Sequence, residues 1–154
     1  MTPLLVRRAT PADALNIRVV TRSAYAKWVP LIGREPKPMT ANYERAVIDH
    51  IIDLYETNNQ LLALIELVPQ ADHLLIENIA VRPDQQGMGL GDKLLRHAED
   101  QARKLGLYET RLYTNAAFAS NLAFYAKRGY IEFQRETIAP GATAVYMRKR
   151  IGSL

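Results

Sequence analysis

The chain has 154 residues, 48% of them hydrophobic and 23% charged, with eight glycines and eight prolines. This is enough apolar sequence for the core of a single domain over residues 1–154, and it excludes disordered and collagen-like classes. The formal charge is +4 and there is no cysteine, so disulfides, thiolate metal sites and a cysteine nucleophile are all excluded.

Leu4 to Arg8 reads as a first strand. Thr10-Pro11-Ala12-Asp13 starts a helix, with Thr10 as N-cap, Pro11 in the first turn and Asp13 at the positive end. Ile17, Val20, Ala24 and Trp28 follow at helical spacing, and the helix is expected to end before Pro30. Pro30 to Met39 holds three prolines and Gly33 and reads as a loop with a charged Arg34-Glu35 centre.

A short helix is expected over Thr40 to Val47. His50–Glu56 and Gln60–Leu67 read as strands joined at Asn58-Asn59, since asparagine tolerates positive φ; a continuous helix from Thr40 to Tyr55 is the alternative. His73 to Val81 is an apolar strand. A helix follows from Gly89 to Leu105, with Leu90, Leu94, Leu95, Ala98, Ala102 and Leu105 on one face and Gly106 as its stop. Leu107–Thr114 is a strand and Ser120–Arg128 a helix stopped by Gly129. Tyr130–Thr137 and Ala144–Lys149 form a closing hairpin around Pro140-Gly141. The order predicts an α/β chain with a mixed sheet.

The basic residues are spread out, and no Lys/Arg stripe interleaves with aromatics, so nucleic acid is not an expected partner. His50, His73 and His97 lack metal-ligand spacing, and no metal is expected. Without a leader-like start or a membrane-length apolar run, the expected location is cytoplasmic and no membrane partner is expected.

The chemistry concentrates in Glu77 to Gly91. A strand enters a glycine-rich turn, Gly87-Met88-Gly89-Leu90-Gly91, which opens directly into an amphipathic helix. Glycines admit close backbone approach, and free N–H groups at a helix start suit a phosphate or pyrophosphate. The P-loop pattern fails because Lys93 follows Asp92, and the dinucleotide pattern fails on spacing and position. Glycines that only tighten a turn are the other reading.

Here the sequence resembles the GNAT superfamily of N-acetyltransferases. Gln86-Gly87-Met88-Gly89-Leu90-Gly91 matches its [QR]-x-x-G-x-[GA] loop, and Ile79-Ala80-Val81-Arg82-Pro83 matches the strand end before it. Asn121-Leu122-Ala123-Phe124-Tyr125-Ala126-Lys127-Arg128-Gly129-Tyr130 is similar to its N-x-x-x-Y-x-x-x-G-[FY] segment.

The resemblance implies a mostly antiparallel central sheet flanked by helices and splayed between the fourth and fifth strands. It implies acetyl-CoA as cosubstrate and direct acetyl transfer to a primary amine, of a small molecule in preference to a protein, in a monomer or homodimer. Its pantetheine arm would pair with Ile79, Ala80 and Val81, and its pyrophosphate with backbone N–H groups from Gly87 to Asp92, the loop running from Gln86 through Met88 and Leu90. Tyr125 matches the tyrosine that protonates the departing thiolate; a core tyrosine is the alternative.

Glu77 is the candidate base for the acceptor amine, weighed against a structural carboxylate. The chain departs from many relatives by carrying Phe118 seven residues before the tyrosine, where they place a cofactor-binding asparagine. Asn121 or Asn115 is the candidate substitute. Trp28, Arg34, Glu35 and Tyr43 are candidate acceptor contacts, for a cationic or aromatic amine or, through Arg34, for a carboxylate. A phosphotransferase, lacking Lys-[ST] and magnesium-binding aspartates, and a non-catalytic CoA- or partner-binding module are the rivals.

Overall fold

The computed structural model describes residues 3–152. Seven strands form one sheet: β1 (Leu5–Arg8), β2 (Ile51–Thr57), β3 (Gln60–Pro69), β4 (Leu74–Val81), β5 (Glu109–Asn115), β6 (Ile131–Ala139) and β7 (Ala142–Arg150). The spatial order is β1-β2-β3-β4-β5-β7-β6. Every pairing is antiparallel except β4 with β5.

The helices are α1 (Ala14–Tyr25), α2 (Val29–Ile32), α3 (Lys37–Thr40), α4 (Tyr43–Asp49), α5 (Leu90–Lys104) and α6 (Ala119–Lys127). None of the described helices is long and apolar enough to cross a membrane.

The core has two halves, one on each sheet face. Ile17, Val20 and Ala24 of α1 pack with Tyr43, Leu54, Leu64 and Ala80. On the other face, Leu90, Leu94, Leu95, Ala98 and Ala102 of α5 pack with Ile65, Leu67, Ile76 and Leu112. These are the α5 residues expected from periodicity, except that Leu105 is half exposed at the helix end.

Asn58 and Asn59 take φ of 52° and 59°, the left-handed pair that a two-residue hairpin needs, and β2 pairs with β3 around them. That pairing excludes the alternative helix to Tyr55.

Of three local expectations about residues 14–47, one holds and two are corrected. The first helix ends at Tyr25, before Pro30 as expected; a 3-10 turn, Ala26–Trp28, then leads into α2, where Pro30 sits in the first turn. The span from Pro30 to Met39 is therefore not all loop, because α3 also forms, with Pro38 in its first turn. There a proline's missing N–H costs nothing. Finally, Thr40 closes α3 rather than opening the next helix. Asn42 caps α4, its side chain accepting from the Arg45 N–H at 3.0 Å.

The feature that positions the site is the parting of β4 from β5. They pair only from Leu74–Thr110 to Ile76–Leu112, although β4 continues to Val81 and β5 to Asn115. At the parting point the β3–β4 register slips. Leu67 faces Ile76 and Glu66 faces Asn78, so Glu77 has no partner. An unpaired bulge residue bends its strand and re-aims its side chain.

Candidate active site

The gap between β4 and β5 exposes one edge of β4. The Arg82 N–H donates to the Leu62 carbonyl at 2.9 Å, so antiparallel alternation turns Ala80 toward β3 and Ile79 and Val81 toward the gap. Two side chains fill carbonyls on this edge. The Tyr25 hydroxyl lies 3.1 Å from the Ile79 oxygen and 2.9 Å from Asn78 Oδ1, and Gln86 Nε2 donates to the Val81 oxygen at 3.1 Å. The Ile79 and Val81 N–H groups are what this edge offers a ligand.

Below the edge runs a groove lined by Tyr25, Lys27, Trp28, Gln86, Gly87, Gly89, Gly91 and Asp92, with Asn121, Phe124, Tyr125 and Arg128 opposite. Gly89 is the residue before α5 and has φ of 88°, a conformation that strains a residue with a side chain. A Cβ on Gly91 would lie 2.9 Å from the Phe124 ring. The loop thus brings bare backbone to the groove, and the first-turn N–H groups of α5 open onto it.

Within this loop Met88 is exposed, whereas the Leu90 side chain is buried in the core. Asp92 holds Arg128, Nε to Oδ1 at 3.0 Å, and the Arg128 guanidinium lies 3.7 Å over the Phe124 ring. Lys27 donates to Gln86 Oε1 at 3.2 Å. Arg128 and Lys27 are cations on the groove that local sequence pattern did not single out.

A second cavity adjoins the groove. Its walls include Tyr25, Arg34, Lys37, Glu77, Tyr113, Asn115 and Phe118, with Ile138 and Ala142 to Ala144 from the closing hairpin. Tyr25, Asn121 and Tyr125 line both spaces.

The Tyr125 side chain makes no hydrogen bond among the described residues, and its hydroxyl is not sealed in the protein. Burial of the ring's surroundings pushes its pKa up to about 12. Asn121 donates to the Thr114 hydroxyl at the long distance of 3.5 Å. The Asn115 side-chain oxygen accepts from the Ala117 N–H at 2.8 Å, capping the turn into α6, while its amide nitrogen has no partner among the described residues.

Glu77 enters the second cavity from the bulge. Tyr113 donates to Glu77 Oε1 at 2.8 Å, and the Lys37 ammonium lies 3.3 Å from the same oxygen. Burial first, then the Glu77 charge, drives the Tyr113 pKa well above that of an ordinary phenol, so it remains a donor. Glu77 also borders a third hollow containing His50 and the buried Glu66, whose pKa is raised by burial; His50 Nδ1 is 2.5 Å from Glu66 Oε2.

The other nominated side chains lie elsewhere. Trp28 lines the groove and stacks on Phe118, centroids 4.2 Å apart. Glu35 pairs with Arg22 at 2.5 Å and lines neither space. Tyr43 is fully buried, donating to the Pro38 oxygen at 2.6 Å and accepting from Asn78 Nδ2 at 3.2 Å. Of the four acceptor candidates, only Arg34 reaches the second cavity.

The family model described as "Acetyltransferase (GNAT) family" matches residues 20–130, which contain the parted strands, the glycine loop and Tyr125. The chain belongs to the GNAT acetyltransferase family. The GNAT fold is also that of solved structures. A GNAT-family protein from Desulfovibrio desulfuricans superposes with a TM-score of 0.81 at 19% identity, covering 97% of this chain and all of that one. The PaiA N-acetyltransferase of Thermoplasma acidophilum, solved with coenzyme A, gives 0.78 at 19% identity over 96% and 99% of the two chains.

By sequence, the chain is 39% identical over 61 residues to the ribosomal protein bS18-alanine N-acetyltransferase of Escherichia coli K12. The match spans 40% of this chain and 41% of that relative. The mostly antiparallel GNAT sheet with its parted fourth and fifth strands is thus both the architecture present and the one expected.

Proposed function

We propose that the chain transfers the acetyl group of acetyl-CoA to a primary amine in a ternary complex, with Glu77 as base and Tyr125 as acid. The observation that carries this reading is that Tyr125 and Asn121 stand where the glycine-loop groove meets the cavity holding Glu77. A donor in one space and an acceptor in the other would meet at these residues.

The groove fits a coenzyme A. Its glycines hold bare backbone against the space, its β4 edge offers N–H groups, and Arg128 and Lys27 supply positive charge. Bound acetyl-CoA supplies an activated acyl carbon and a thiolate leaving group. The chain's residues then have three tasks. The Ile79 and Val81 N–H groups are placed to stabilise negative charge on a carbonyl oxygen. Glu77, kept in place by Tyr113 and Lys37, accepts the ammonium proton, because only the neutral amine attacks. Tyr125 carries its proton through the neutral range, its pKa being about 12, and gives it to the departing sulfur. With no cysteine in the chain, direct attack needs no thiol carrier.

Glu77→Gln tests the base. It keeps an oxygen to accept from Tyr113 but cannot take a proton. The variant is expected to lose kcat/KM near neutrality by roughly tenfold or more, within the range of general-base catalysis, and to recover partly at alkaline pH, where neutral amine is supplied by solvent. Paired pH profiles and melting curves decide. An early-melting variant that keeps the wild-type profile would make Glu77 structural.

A further inference from the structure

The cavity that holds Glu77 has an unmatched positive charge. Its charged lining consists of Arg34, Lys37 and Glu77. Lys37 and Glu77 already satisfy one another across 3.3 Å. Arg34 does not have such a partner. Among the described residues it is the one arginine with no ion pair, no side-chain hydrogen bond and no aromatic face. Neighbouring Arg22 is taken by Glu35, and even Arg148, which lacks an ion pair, lies over Phe133.

Arg34 is also held at this wall by its backbone. Gly33 before it is left-handed, φ 72°, closing α2. Two residues later Pro36 is buried, and it lines the same cavity. An arginine on a short tether between a helix stop and a buried proline, at a cavity whose one carboxylate is already paired with Lys37, is arranged to receive a counter-ion of its own.

We propose that the acceptor is a primary amine that also carries a carboxylate, its amine meeting Glu77 and its carboxylate meeting Arg34. This rests on the acetyl-transfer reading above and names the chemistry of its second substrate. The guanidinium fork matches a carboxylate with two parallel hydrogen bonds, which a plain alkylamine cannot use. A diamine would bring a second cation against Arg34, a like-charge contact that selects against it. Lys37 adds to the preference. When the acceptor's ammonium takes its place on Glu77, the freed lysine becomes a second cation at the same wall. Glu35, the carboxylate that would have favoured a cationic substrate, is engaged by Arg22 outside the cavity.

The test is calorimetric binding of amines to the protein saturated with CoA, which requires no turnover. The panel compares amino acids, ω-amino carboxylates and short acidic peptides with alkylamines and diamines of matched length. At least one carboxylate-bearing amine is expected to bind about tenfold or more tightly than its matched plain amine, in line with a charge-assisted bidentate contact. Arg34→Ala is expected to erase that difference, and Arg34→Glu to reverse it in favour of the diamine. Both variants should melt as the wild type does, since Arg34 is exposed and holds nothing else.

Equal or tighter binding of plain amines or diamines by the wild type would overturn the proposal, as would a preference that survives Arg34→Ala. If CoA itself fails to stabilise the wild type, the acetyl-transfer reading falls and the proposal falls with it. A normal CoA response without carboxylate preference overturns the acceptor class alone.

Discussion

Gly89→Glu is expected to abolish the rise in melting temperature that CoA gives the wild-type chain. A ligand at a hundred times its Kd stabilises the native state by about 2.7 kcal/mol. For a chain of this length each kcal/mol moves the melting point by about 2–4 °C, so the wild-type rise should be roughly 5–10 °C. Gly89 stands at the start of α5 with φ of 88°, and no atom lies within 4 Å of a Cβ built there. A glutamate has room, but its carboxylate would compete with an anionic ligand for the helix-start N–H groups.

Gly89→Ala separates the contributions. It carries the backbone strain without the charge and is expected to lower the apo melting point by an amount corresponding to about 1 kcal/mol while keeping most of the CoA response. An unchanged response in Gly89→Glu would place the phosphate site elsewhere.

Tyr125→Phe is expected to lower kcat by roughly ten- to a thousandfold with CoA affinity nearly unchanged. The geometry makes this substitution unusually clean. The Tyr125 hydroxyl has no partner among the described residues, so its removal orphans no donor or acceptor and the melting point should hold. Because burial raises the pKa to about 12, this phenol stays protonated across ordinary assay conditions. The wild-type rate should therefore show no alkaline fall assignable to Tyr125 until the pH nears that value. Full activity in Tyr125→Phe, with chemistry shown to limit the rate, would leave Tyr125 a packing residue.

The parts of the site that were legible in the sequence are local ones. A glycine that must take positive φ, an asparagine pair that forms a hairpin and a helix face of leucines and alanines each declare themselves within a few residues. What the sequence did not show depends on distant partners. The bulge at Glu77 is a mismatch with β3, and no feature of β4 alone announces it. Tyr113, Lys37 and Tyr25 reach the site from a strand and two helices separated in the chain, so spacing does not connect them to Glu77 or Ile79.

The same limit explains the acceptor candidates. Trp28, Arg34 and Glu35 lie close in sequence, yet the short helices around Pro30 and Pro38 send them to the groove, the cavity and Arg22 respectively. The position of β7 between β5 and β6 was equally illegible, because a closing hairpin can join a sheet by either strand.

The most direct test is to follow thiol release from acetyl-CoA in the presence and absence of carboxylate-bearing and plain amines, weighing the products by mass spectrometry. The chain contains no cysteine, so every thiol detected comes from coenzyme A. Direct transfer in a ternary complex predicts thiol release only when an amine is present, one acetylated amine for each thiol, and no acetyl-protein that forms and then disappears. Thiol released no faster with any amine than without one, from a protein that CoA demonstrably stabilises, would contradict the account and leave a coenzyme-binding module of the same fold.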